Sequence, residues 1–125
     1  MMRMADRAAS VLVSLFGLLH LAIGYRAFVS PTEPRIWFAA GGFLLVTTGL
    51  ANLAASGSGS RLQSAAAASG TVAILVIGGL IARGKPQLLL EPQTILLLAI
   101  GLMLTAFRLR DLLRPGHGTV ADGRT

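Results

Sequence analysis

The chain has 125 residues, 54% of them apolar and only 13% charged, against about 25% charged in a soluble protein. A soluble fold of this size has too little interior to hide that much apolar surface, and the absence of cysteine excludes disulfides, thiolate catalysis and cysteine-ligated metals. The net charge of +6 does not point to nucleic acid: the basic residues sit between and after apolar segments, where they mark topology and touch lipid headgroups, and no basic patch is interleaved with aromatics.

Met1 to Arg7 reads as a short basic lead, expected to be retained because no small-x-small cleavage site follows it. The first apolar stretch, about 8–29, is as long as a bilayer-spanning helix needs, roughly 20 residues. His20 sits in its middle. On a 100° wheel Val13, Phe16, Gly17, Gly24 and Ala27 share its side. An imidazole is costly in hydrocarbon, so that side is expected to face protein or water.

Ser30 to Pro34 reads as a loop, because two prolines two residues apart do not suit a helix interior. The second span is expected over about 36–54, with Trp37 and Phe38 as an interfacial aromatic belt at its start. Ser56 to Ser60 reads as a flexible serine–glycine linker. The third span covers about 62–81 and is broken by Arg83-Gly84-Lys85-Pro86. The fourth covers about 92–109, with Pro92 in its first turn, where a missing donor is harmless. The domain is therefore 8–109, followed by a polar tail over 110–125 expected to be disordered.

Each span carries small or hydroxyl residues at heptad spacing: Gly17 and Gly24; Gly42 and Gly49; Ser64, Thr71 and Gly78; Thr94 and Gly101. Such faces let helix backbones approach. The predicted fold is an all-α, integral membrane, up-down four-helix bundle. Its partner is the lipid bilayer, with other membrane subunits or a homo-oligomer as further contacts. With four spans, Arg3, Arg7, Arg61, Arg108, Arg110, Arg114 and Arg124 share one side, and Arg26, Arg35, Arg83 and Lys85 the other. That excess places both termini in the cytoplasm of a multi-pass plasma (inner) membrane protein.

No catalytic residue and no metal site emerge. The second histidine, His117, lies in the tail, and no His/Asp/Glu cluster falls within the spans. The candidate ligand contacts are His20, Thr48, Asn52 and Thr71. His20 could bond a ligand carbonyl or relay a proton. It could equally bond a hydroxyl or carbonyl of a neighbouring helix, with Thr48, Asn52, Thr71 and Thr105 as possible partners. Asn52 could meet a headgroup, or bridge helices. Tyr25, Arg26, Glu33, Arg35, Trp37 and Glu91, with Arg83 and Lys85, would gather at the outer mouth. There they form either a polar vestibule for an anionic headgroup or ordinary interfacial anchors.

The run Arg35-Ile36-Trp37-Phe38-Ala39-Ala40-Gly41-Gly42-Phe43-Leu44, then Gly49-Leu50-Ala51-Asn52-Leu53, together with His20, resembles small uncharacterised four-span bacterial membrane proteins. More loosely the layout is similar to the DoxX-like group. The resemblance covers the first two spans in detail and the rest in hydropathy. It implies the four-helix fold. For the DoxX-like group it also implies a link to quinone or redox systems, which would make a quinone or lipid the bound molecule and His20 its polar contact. The residues by themselves favour a non-enzymatic accessory or helix-packing protein with no cofactor.

Overall fold

The computed structural model describes residues 2–27, 33–58 and 60–113, apart from the side chains of Met2, Glu33, Pro34, Leu88 and Leu89. The expected tail beyond Leu113 and most of the loop before Glu33 lie outside these residues. Four α-helices follow one another: α1 (Met2–Ala27), α2 (Glu33–Ser58), α3 (Arg61–Gly84) and α4 (Pro92–Leu113), with a 3-10 helix (Pro86–Leu90) leading into α4. No strand occurs among the described residues. By length and composition α1, α2 and α3 can each cross a membrane. The 26 residues of α1 rise about 39 Å, beyond a hydrocarbon core of about 30 Å.

The helices outrun the apolar spans. The basic lead is the first two turns of α1, because backbone hydrogen bonds do not need apolar side chains. Helix α2 begins at Glu33 rather than beyond the prolines. Pro34 is its second residue, where an amide has no partner to lose. The expected linker is helical over its first three residues. Helix α2 continues to Ser58, and Ser60 caps α3 with its Oγ accepting from Gln63 N (3.4 Å). Glu91 caps α4 in turn: its carbonyl accepts from Thr94 N (3.0 Å) and Ile95 N (3.1 Å), one turn beyond Pro92.

The α1–α2 contact is the most extensive, α2 with α3 and α3 with α4 make smaller ones of similar extent, and α4 makes the smallest back on α1. The α1–α2 seam depends on glycine. A Cβ on Gly17 would lie 2.7 Å from Gly42 O, and one on Gly49 would lie 2.6 Å from Ser10 O. Gly24 meets Phe38, so the two helices run in opposite directions. Ala9, Val13, Leu45, Ile74, Ile100 and Leu104 form the core, with Leu44, Leu97 and Phe107 against it. The polarity of the fold is inverted. Asp6, Ser10, Thr48, Asn52, Ser64, Thr71 and Arg108 are buried, while Leu15, Leu18, Phe43, Leu50, Leu80 and Leu102 are exposed.

Candidate functional site

A neighbouring face of α2 brings Asn52 and Thr48, one turn apart, to α3. Asn52 is fully buried. Its Nδ2 donates to Thr48 O (2.9 Å) and to Thr71 Oγ1 (3.0 Å), with Ala67 O at 3.5 Å as a weaker third acceptor. The Thr71 hydroxyl spends its hydrogen on Ala67 O (2.9 Å), so toward Asn52 it can only accept. That fixes which end of the amide faces α3. Oδ1 points elsewhere and has no hydrogen-bond partner. Gly70 makes room for this centre: a Cβ there would stand 2.8 Å from Thr48 Oγ1.

A second polar centre joins the first helix to the last. Arg108 is fully buried and its Nη2 pairs with Asp6 Oδ2. Its Nη1 donates to Asp111 Oδ2 (3.2 Å), and Arg110 Nη2 reaches Asp111 Oδ1 (3.4 Å). Ser10 Oγ donates to Asp6 O (2.7 Å). Asp6 Oδ1 and Arg108 Nε are buried without partners. Sequence reasoning missed this pair by assigning Asp6 to a basic lead and Arg108 to a basic flank. The wheel held the signal: Asp6, Val13, Gly17 and His20 lie on one side of α1, and Gly101, Leu104 and Arg108 on one side of α4.

His20 lies apart from both. It is half-buried in the α1–α2 seam, and its ring stacks on Phe38 with centroids 4.3 Å apart and planes 11° apart. Gly41 faces it, at 3.4 Å from Nε2 to an added Cβ. Asn52 is eleven residues along α2 from Gly41, about 16 Å of rise. The ring is thus held by an aromatic stack rather than by Thr48, Asn52, Thr71 or Thr105, and Thr105 Oγ1 donates to Gly101 O (2.9 Å) within α4. Phe38, expected in an aromatic belt with Trp37, is turned into the seam, whereas Trp37 is exposed. Ala27, expected on the inner face, is also exposed.

Of the expected outer-mouth residues, the structure brings Tyr25 and Arg35 together. The Arg35 guanidinium carbon stands 5.1 Å from the centroid of the Tyr25 ring, a cation–π distance. Both line an open groove of about 360 Å³ with Leu21, Gly24, Ala39 and Phe43. Arg26 is exposed in the last turn of α1. Glu91 accepts from Gln93 Nε2 (2.6 Å) ahead of α4. The Glu33 side chain is outside the described residues. Among the described residues, no three His, Cys, Asp or Glu side chains converge as metal ligands.

No protein-family model matches the chain, and no curated protein or solved structure does.

Proposed function

We propose that this chain is an integral membrane, up-down four-helix bundle of a bacterial plasma (inner) membrane. In this reading it is a non-enzymatic helix-packing protein or accessory subunit, with both termini in the cytoplasm. The inverted polarity carries the reading. A chain that buries asparagine, threonine, aspartate and arginine while exposing leucine and phenylalanine is matched to a hydrocarbon solvent. For α4, the absence of charge from Pro92 to Phe107 and its packing on α3 support a fourth crossing. The Lys/Arg excess supports the orientation.

Alkaline carbonate should leave the protein in the membrane pellet. A reporter active only outside the cytoplasm, fused after Thr125, should be silent. Release by carbonate would sink the membrane reading, and an active fusion would sink the orientation. Purification from native membranes tests whether other subunits or further copies accompany it.

The second reading is a DoxX-like binder or redox partner of a quinone or isoprenoid. One observation favours it: the His20 ring is only half-buried, stacked on Phe38 at the seam of two helices. A stoichiometric quinone or isoprenoid extracted from purified protein, and absent after His20→Ala, would establish it.

A further inference from the structure

We propose that the groove between α1 and α2 seats one anionic phospholipid, an acyl chain along its apolar floor and the phosphate at Arg35. This rests on the membrane reading above. The groove, about 360 Å³, is within the size range of small-molecule sites. Its lining is graded along the helices. Leu21 and Gly24 on α1 lead to Tyr25, and Phe43 and Ala39 on α2 lead to Arg35. Both helices therefore go from apolar to polar in the same direction, toward the end of α1 and the start of α2.

Small residues keep the floor low. Gly24 approaches Phe38 so closely that a Cβ would sit 2.8 Å from Phe38 Cβ, so backbone itself forms part of the surface. Leu21 and Phe43 supply flexible apolar walls. A neutral lipid-soluble molecule would fit the floor but form no charge-assisted bond with Arg35. A soluble phosphate would use the cation but gain nothing from the floor. A phospholipid with an anionic headgroup uses both.

Arg35 suits the phosphate. Its guanidinium lies over the Tyr25 ring at the groove, and with five donors it can serve a phosphate beside its present contacts. In the up-down arrangement this end also carries Arg26, Arg83 and Lys85 against Glu33 and Glu91, four cations to two carboxylates. The local field therefore favours an anion over a zwitterion.

The test uses the full chain, with membrane insertion first established by carbonate resistance. Native mass spectrometry from an equal mixture of phosphatidylglycerol and phosphatidylcholine with identical acyl chains reads the bound lipid. The wild type should retain phosphatidylglycerol about fivefold over phosphatidylcholine, the factor that about 1 kcal/mol for one basic residue at an anionic surface converts to. Arg35→Gln should abolish the preference, and Ala39→Phe should fill the groove and release both lipids. Arg61→Gln, at the opposite end of the bundle, should keep the preference. Excess glycerol phosphate should displace nothing, since it lacks a chain for the groove. Circular dichroism confirms that each variant is folded, and Arg35→Gln decides alone if Ala39→Phe is not. An inserted wild type with no preference, or an Arg35→Gln protein that keeps it, overturns the site and leaves the membrane reading intact. Release by carbonate overturns both.

Discussion

Replacing Gly49 with alanine adds one methyl group at the closest approach of α1 and α2. The new Cβ would stand 2.6 Å from Ser10 O and 2.7 Å from Ser14 N, and it would also strike Ser14 Oγ. Ordinary contact begins at 3.4 Å, so the shortfall is 0.8 Å. The obstructing atoms are largely backbone, fixed in the helix ladder. The Ser14 hydroxyl is tied too, donating to Ser10 O (3.2 Å). The helices must therefore part by most of that distance. Parting also loosens the Gly17–Gly42 contact further along the same rigid pair. A gap of about 0.5–1 Å forfeits a quarter to a half of a contact's dispersion energy. The expected loss is about 1–3 kcal/mol, the usual cost of overpacking.

The control is Gly79→Ala on α3. Nothing lies within 4 Å of a Cβ there, so only the relief of glycine's backbone entropy remains. It should stabilise by about 0.5–1 kcal/mol. Both variants are unfolded by heat or by dodecyl sulfate titration in one detergent. Opposite signs are expected. A Gly49→Ala protein as stable as the wild type would show that this seam is not closely packed, and the account of α1–α2 pairing would fall.

Three further perturbations test the two polar centres and the His20 stack. Arg108→Met should cost about 3–5 kcal/mol by stranding the buried Asp6 carboxylate, and Asp6→Ala less because Arg108 keeps Asp111, while the double variant costs clearly less than their sum; additive losses in a double-mutant cycle would remove the ion pair from the account. Thr71→Val keeps the shape but removes the acceptor for Asn52, and unfolding should show a loss of about 0.6–1.7 kcal/mol; none would mean that the cross-helix bond contributes nothing. His20→Phe should preserve the stack on Phe38 and keep the melting temperature, whereas His20→Ala should lose the aromatic pairing term of about 0.5–1.5 kcal/mol; a phenylalanine variant as weak as the alanine one would show that the imidazole nitrogens matter more than the ring.

The four helices were legible because each is an unbroken apolar stretch punctuated by proline, glycine or charge, and because the small-residue faces repeat at helical spacing. Helix ends were less legible. Hydropathy marks where lipid begins, not where hydrogen bonding stops, so Met2–Arg7 and Ser56–Ser58 read as a lead and a linker although both are helical. The Asn52 centre was partly legible, since Asn52, Thr48 and Thr71 each lie on a small-residue face. Nothing in the spacing set their pairing across the turn. The His20 partner was missed because Phe38 follows Trp37 and read as part of a belt. The two lie 100° apart on a helix, and Phe38 is the one whose ring stacks on His20. Asp6 and Arg108 stand 102 residues apart, and charge at the two ends of a chain reads as solvated until the fold joins them.

In the proposed membrane reading, hydrocarbon gives helices no hydrophobic reason to associate, so cohesion must come from close packing and polar bonds. In this bundle each neighbouring pair uses a different means. Glycines bring α1 and α2 to backbone contact. Asn52 ties α2 to α3 through Thr71, with Gly70 leaving space for Thr48. Leu75 lies over Gly101 between α3 and α4, 2.9 Å from an added Cβ. The α1–α4 contact is the least extensive of the four and has the ion pair. Packing alone holds α4 weakly against α1, and the attraction between Arg108 and Asp6 acts where packing is thinnest. A charge pair there also selects a partner, because neither helix can bury its charge unless the other is in place. The pair therefore makes the docking of the last helix on the first conditional on correct register, a specificity that a row of exposed leucines cannot supply.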